Sequence, residues 1–301
     1  MRRVFEYIYE KEESVKISDF LKEKRYSSSL LTSLRHREGA ICCNGEVVHM
    51  NRLLECGDTI RIVLEDDVSL QKIVSSGMRP DIIYEDEDIL VVNKPAGMPV
   101  HPSLNHYDDT LANAVIGYYE SKNEKCIFRC ITRLDRDTSG VTLLAKNELS
   151  ALLMSEDMRD GCIDKEYLAV VEGITDESGI IDAPIARRAE SMVERIVDTE
   201  NGKEARTEYT RIKTIEREDM CVSLLRIKLY TGRTHQIRVH MKHIGHPLVG
   251  DFLYNPTDRE NGRQLLHCRR LMFNHPITHE KMEFVACMPN DMQTLMGEGL
   301  S

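Results

Sequence analysis

Apolar and polar positions fall into two textures along the chain, and the change comes near residue 80. In the first stretch, Val15, Ile17, Phe20 and Leu21 share a helical spacing, which predicts a short helix. Ser27, Ser28 and Ser29 offer N-caps for a second helix through Leu30, Leu31 and Leu34, with Gly39 placed to end it. Residues 40–43, Asn44-Gly45 and residues 46–48 read as strand, tight turn and strand, because Asn-Gly tolerates positive φ at both turn positions. Gly57-Asp58 makes another turn, and Ile60, Ile62 and Leu64 alternate as a closing strand. The pattern predicts a small α+β module over residues 1–68. Residues 69–80 are polar, lack periodicity and read as a linker.

From Asp81 onward, apolar β-branched runs dominate. Residues 82–84 and 89–93 predict two strands separated by an acidic turn, and Lys94-Pro95-Ala96-Gly97 breaks the second into a loop. Residues 111–119 behind Thr110 predict a helix, as do residues 148–158. Residues 126–132, 141–146 and 167–171 predict strands. Many strands interleaved with few helices predict an α+β body with a mixed sheet over residues 81–301. No internal repeat breaks that pattern.

Composition narrows the classes. No apolar run approaches the roughly 18 residues of a membrane span. The N-terminus carries charges on both sides of a short apolar stretch, which makes a poor signal peptide. Nine cysteines, an odd number scattered through apolar contexts, read as reduced thiols. Cys126 and Cys130 have no second pair to complete a metal site. The net charge of −10 argues against loose adhesion to polyanions. Residues 226–270, however, hold nine Lys and Arg against three acids, with five histidines besides. A basic stripe on an acidic body suits selective docking to nucleic acid.

The densest chemistry lies in Thr132-Arg133-Leu134-Asp135-Arg136-Asp137-Thr138-Ser139-Gly140, a loop between two apolar strands. Such loops present catalytic groups on a rigid support, although a turn in which Asp135 or Asp137 caps backbone amides fits the same letters. His240, His243 and His246 suggest zinc at helical spacing, but no glutamate occupies the second position of a His-Glu-x-x-His motif, and Gly245 with Pro247 ends the helix. No metal is expected. Lys94-Pro95-Ala96-Gly97 lacks the spacing of a phosphate loop and reads as a structural turn.

Larger patterns carry a resemblance. The loop resembles the HRLDxxTSG signature of the RluA/RluD-type pseudouridine synthases, with Thr132 in place of the usual His. YEDEDILVVNKPAGMPVHPS (84–103) is similar to that family's first motif, TGRTHQIRVHMKHIGHPLVGDFLY (231–254) to its third, and residues 265–292 to its closing strands. Residues 15–65, with Arg35, His36 and Arg37 ending the second helix and GDTIRI after the Asn-Gly turn, resemble the αL RNA-binding module of a ribosomal small-subunit protein.

The resemblance implies a largely antiparallel sheet of pseudouridine-synthase type in the catalytic domain. It implies an isomerase that converts uridine to pseudouridine without cofactor or nucleotide. Its catalytic aspartate falls on Asp135 and its tyrosine on Tyr167. Its aspartate-pairing arginine is assigned to Arg233, with Arg238 left for phosphate. RNA contacts are expected from Arg133, Arg136, Arg35, Arg37, His235, Gln236 and Arg238. The implied partner is structured RNA, in the first place 23S large-subunit rRNA and possible as an assembling particle; tRNA, or a non-catalytic assembly role, is the alternative. A cytoplasmic monomer away from membranes is expected.

The residue types fit the reaction on their own terms. Ribose must leave a ring nitrogen and rejoin a ring carbon, which calls for a carboxylate as nucleophile or base. A forked arginine orients that carboxylate, and a tyrosine offers an aromatic face to the extruded base.

Overall fold

The computed structural model describes residues 1–217, 220–256 and 262–297. Its N-terminal part contains β1 (Arg2–Ile8), β2 (Val15–Lys16), α1 (Ile17–Glu23), α2 (Ser28–Arg35), β3 (Ile41–Cys43), β4 (Glu46–Val47), β5 (Leu53–Leu54) and β6 (Thr59–Glu65). Ser27 caps α2 by accepting from the Leu30 amide, and Asn44 and Gly45 both adopt the positive φ that the hairpin requires. The four-stranded sheet runs β1-β6-β3-β4. Strand β1 has no counterpart in the pattern reading, because Arg2–Ile8 mixes charged and aromatic positions without clean alternation. It pairs antiparallel with β6 along its whole length.

The body contains β7 (Ile82–Glu85), β8 (Ile89–Lys94), α3 (Leu111–Ser121), β9 (Ser139–Ala145), α4 (Glu148–Arg159), β10 (Asp164–Glu172), β11 (Ser178–Asp182), β12 (Ile185–Arg187), β13 (Arg195–Val197), β14 (Arg206–Arg217), β15 (Met220–Leu229), α5 (Gln236–His243), β16 (Leu266–Asn274), β17 (Lys281–Val285) and α6 (Asn290–Met296). Among the described residues one sheet runs β11-β14-β15-β10-β16-β9-β8-β7, with β17 on β16. All of its pairings are antiparallel except the parallel β16–β9 pair. The fold is therefore α+β with a mixed, largely antiparallel sheet. No described helix is long and apolar enough to cross a membrane.

Residues 126–132, expected as a strand, are extended and bond to β9 through Ile131 N on Leu143 O and Ala145 N on Arg129 O, but form no regular strand. The part of the basic stripe at Asp258, Arg259 and Glu260 lies outside the described residues.

The module is packed on the body. Leu149 and Leu153 of α4 are buried in the same apolar cluster as Phe20, Leu31 and Ile41. Arg3 forks onto Asp88 (3.0 and 2.9 Å), Arg25 bonds Glu156 and Asp157, and Arg129 reaches Asp66 (2.6 Å). The connecting segment is strapped down as well: Gln71 bonds Cys126 O and the Phe128 amide, and Asn113 donates to Val74 O. Leu153→Ala should then cost about 2–5 kcal/mol, as for other buried leucine truncations. Denaturant unfolding with hydrogen exchange of β1 and α1 checks this. Unchanged exchange in the module would show that α4 does not hold it.

Candidate active site

The site forms where three neighbouring strands meet α5. Cross-strand register sets Gly140 of β9 beside Cys268 of β16, and Cys268 beside Tyr167 of β10. Gly140 has φ +119°, and a Cβ there would fall 2.2 Å from the Cys268 carbonyl oxygen, so only glycine closes the loop at this point. Next to it, Ser139 Oγ lies 2.9 Å from His267 Nδ1, and His267 Nε2 donates to Ala286 O (3.2 Å). Burial pulls the His267 imidazole down to about 4, so it stays neutral.

The loop before Gly140 turns instead of running extended. Thr138 N donates to Asp135 O, Lys94 Nζ to Arg136 O (2.9 Å) and Arg263 to Asp137 O. Lys94 is fully buried, and its other protons go to the carbonyls of Pro95 and Met98 (both 2.8 Å). Burial pulls its ammonium down to about 7 against the Asp137 and Asp135 carboxylates, while three carbonyls take up all of its protons. The lysine thereby fastens the 94–98 turn to the 132–140 loop. Thr132 is buried, with its hydroxyl accepting from Leu143 N. It locks the loop's start.

The turn separates the two aspartates. Asp137 is occupied by the guanidinium of Arg136 (2.8–3.1 Å), whereas Asp135 faces α5. Asp135 Oδ2 accepts from Arg238 Nη1 (3.2 Å), and His235 Nε2 lies 3.8 Å away. Oδ1 takes no hydrogen bond among the described residues, and the Asp135 side chain is 28 % exposed.

Arg238 is almost fully buried and turns its other edge onto Asp251, Nε to Oδ2 (2.7 Å) and Nη2 to Oδ1 (2.8 Å). Asp251 is itself fully buried and also accepts from the Leu253 and Tyr254 amides (3.1 Å each). Burial works against the guanidinium's charge, but bonding to Asp251 and the charges of Asp251 and Asp135 leave its pKa above the usual value. Removing one member of such a buried pair typically costs ~3–5 kcal/mol.

The assignment of Arg233 as the partner of Asp135 is corrected. Arg233 is exposed and its Nε donates to Glu204 O (2.9 Å), because it sits in the loop before α5 while Arg238 lies on the helix face turned inward. Arg238 is equally not a phosphate ligand, since both edges of its guanidinium are committed to carboxylates. Gln236 is corrected too: it is buried and bonds Arg206 O, Thr207 Oγ1, Thr231 Oγ1 and the Arg233 amide. Arg37 gives one N–H to Glu65 O (2.6 Å) and stays partly exposed. Arg35, Arg133 and Arg136 remain exposed.

His235 holds a left-handed backbone, φ 58°, at the start of α5. Arg195 N donates to Tyr254 Oη, which lies 2.9 Å from His235 Nδ1; a phenol that gives its proton to Nδ1 leaves Nε2–H on the side of Asp135. Burial lowers this imidazole below its usual value. Tyr167 is buried beside Leu134 and Cys268, and burial, then the Cys268 thiol and the Asp135 charge, push its phenol well above the usual range. Its phenol therefore keeps its proton at neutral pH.

His240 uses both ring nitrogens, on Thr207 Oγ1 and Ala183 O, and His246 Nδ1 bonds Glu172 O. One group with metal-compatible spacing, Asp86, Asp88 and His275, lies away from the loop; there Asp88 already takes Arg3 and Asn147, and His275 Nε2 faces Asp86 at 3.1 Å.

Asp251, Tyr254 and His267 were missed from the sequence. A lone acid inside the apolar run 247–254 was the available signal, since a buried carboxylate needs a cationic partner.

A carboxylate held by a buried arginine, with a protonated tyrosine near it, stands on the mixed, largely antiparallel sheet. The chain belongs to the RNA pseudouridylate synthase family, whose model matches residues 88–243. It is 38% identical to the uncharacterized RNA pseudouridine synthase YjbO of Bacillus subtilis, over 93% of this chain and 98% of that protein. It is 39% identical to ribosomal large subunit pseudouridine synthase D of Zymomonas mobilis, over 71% of each. Human RNA pseudouridylate synthase domain containing 1 superposes with a TM-score of 0.60 and 29% identity, over 71% of this chain and 85% of that one. The chain is an isomerase, and its substrate is RNA.

His267 links the loop to acid stability. Its folded pKa of about 4 lies below the free value of ~6.5, so the unfolded chain binds the proton first. The stability this histidine contributes is full above pH ~6.5 and is lost on falling toward about 4, a loss of about 3 kcal/mol. His267→Gln should flatten the pH dependence of urea unfolding in that window; an unchanged slope would assign the acid sensitivity to other groups.

Proposed function

We propose that the chain converts selected uridines of 23S large-subunit rRNA to pseudouridine, as a cytoplasmic monomer, with Asp135 as the catalytic carboxylate. The observation that carries this reading is the Asp135 carboxylate itself: one oxygen is held by buried Arg238, and the other is free at the surface of the site. The ribosomal target is supported by relatives named ribosomal large subunit pseudouridine synthase D and by the likeness of the N-terminal module to an αL module.

In the reaction, the bond from ribose C1′ to uracil N1 breaks, the base turns, and C1′ joins C5. The C5 proton leaves and N1 gains one, so the product is an isomer of the substrate. Asp135 Oδ1 supplies the electron pair, as nucleophile or as proton acceptor, while Arg238 keeps Oδ2 aimed. Tyr167 forms the wall against which the turned base lies. The target must first leave its stack, at a cost of a few kcal/mol. Exposed Arg136, next to Asp135 in the chain, is the candidate to fill the base's place in the stack or to grip the adjoining phosphate; its guanidinium lies 6.0 Å from the ring of exposed Phe252.

Pseudouridine mapping by carbodiimide and reverse-transcriptase stops, on unmodified 23S rRNA and tRNA, tests the proposal. Wild-type protein should give discrete stops in 23S rRNA. Asp135→Asn should lower the rate at least ~1,000-fold while still binding RNA. Stops confined to tRNA would move the target, and turnover by the variant would remove Asp135 from the chemistry.

A further inference from the structure

A groove of about 410 Å³ is walled by the β12–β13 hairpin on one side and α5 on the other. That volume is in the range of clefts that hold a small ligand or one unit of a polymer, ~300–1,000 Å³. Arg188, Arg195, Lys242 and His243 line it, with Glu194 as the acid and Tyr254 among the walls. On a chain of net charge −10, such a concentration of cations marks a local site for an anion.

The cations are not equally available. Arg188 is neutralised by Glu194 (2.8–2.9 Å). Arg195 bonds only carbonyls of its own hairpin, Val193 O and Glu194 O, and Lys242 rests 5.6 Å from the Tyr254 ring. Neither has a carboxylate partner among the described residues. The walls are firm: Ile185, Val239 and Tyr254 share a buried cluster, and Arg195 N is tied to Tyr254 Oη. Position completes the case. Tyr254 Oη bonds His235 Nδ1 (2.9 Å), and His235 Nε2 is 3.8 Å from Asp135 Oδ2, so one tyrosine and one histidine separate the groove from the reacting carboxylate.

We infer that this groove binds the sugar-phosphate backbone of the substrate RNA next to the target uridine, with Arg195 and Lys242 on the phosphates and Glu194 limiting their pull by occupying Arg188. This rests on the reading that the target uridine reacts at Asp135. A uridine with its C1′ at that carboxylate must have its strand continue past the site, and the groove is a cationic channel one tyrosine and one histidine away. The Glu194–Arg188 pair makes the binding selective: it lowers the groove's charge, so a strand is held through its fit to the channel and not through charge alone.

The test is equilibrium binding of full-length protein to in-vitro-transcribed, unmodified 23S rRNA over a salt series, read as affinity and as the slope of log K against log salt. The Arg195→Gln, Lys242→Gln double variant should bind about ten-fold more weakly and lose about 1.5 units of slope, as expected for two lost phosphate contacts. Glu194→Gln should do the reverse, with tighter binding and a steeper slope, which damage to the fold would not produce. An unchanged slope in the double variant, whatever its affinity, would overturn the inference, as would Glu194→Gln binding no tighter. The readout is independent of turnover. If wild-type protein binds this RNA without forming pseudouridine, the proposed target fails, and the groove is still judged by the slopes.

Discussion

A buried guanidinium shared between two carboxylates organises this protein. Arg238 gives one edge to Asp251 and one remaining N–H to Asp135, so an interior carboxylate sets where Asp135 stands. Such an arginine is costly to bury alone and stable only with its charge matched and its donors satisfied. Asp251 meets that requirement by also capping the Leu253 and Tyr254 amides, which fixes the segment after α5. The same contact thus holds the helix, the following turn and the loop carrying Asp135.

The rest of the site is arranged to keep that loop at one height above the sheet. Gly140 allows β9 to approach the Cys268 carbonyl closely, and Lys94 ties the loop's crest to the turn after β8. Ser139 and Thr132 clamp the two ends, through His267 and the Leu143 amide. The loop is short of regular backbone bonds but is held by buried donors on three sides, so an irregular segment behaves as a rigid mount. The docking of the N-terminal module on α4 extends this rigidity to that end of the chain.

Much of the fold was legible because period and turn chemistry agreed. The Asn-Gly hairpin, the Thr110 cap and the strands of apolar β-branched residues all form near where the pattern places them. Strand β1 was not legible, since its burial comes from pairing with β6 and from aromatic contacts in place of alternation. At the site, the charge of Asp135 acts on Tyr167. The arginine was misplaced because Arg233 and Arg238 occupy the same motif, and only the direction of α5 decides which turns inward. Gln236 failed for the same reason: a polar letter in a basic stripe reads as surface, yet its amide is consumed inside the protein.

Single-turnover pseudouridine formation at saturating RNA, for Arg238→Lys beside Arg233→Lys, tests the central claim most directly. A lysine can reach one carboxylate but cannot fork across two. Arg238→Lys should lose at least ~100-fold in rate, and Arg233→Lys should stay close to wild type. The opposite order, or equal losses, would contradict the view that Arg238, anchored on Asp251, positions the catalytic carboxylate.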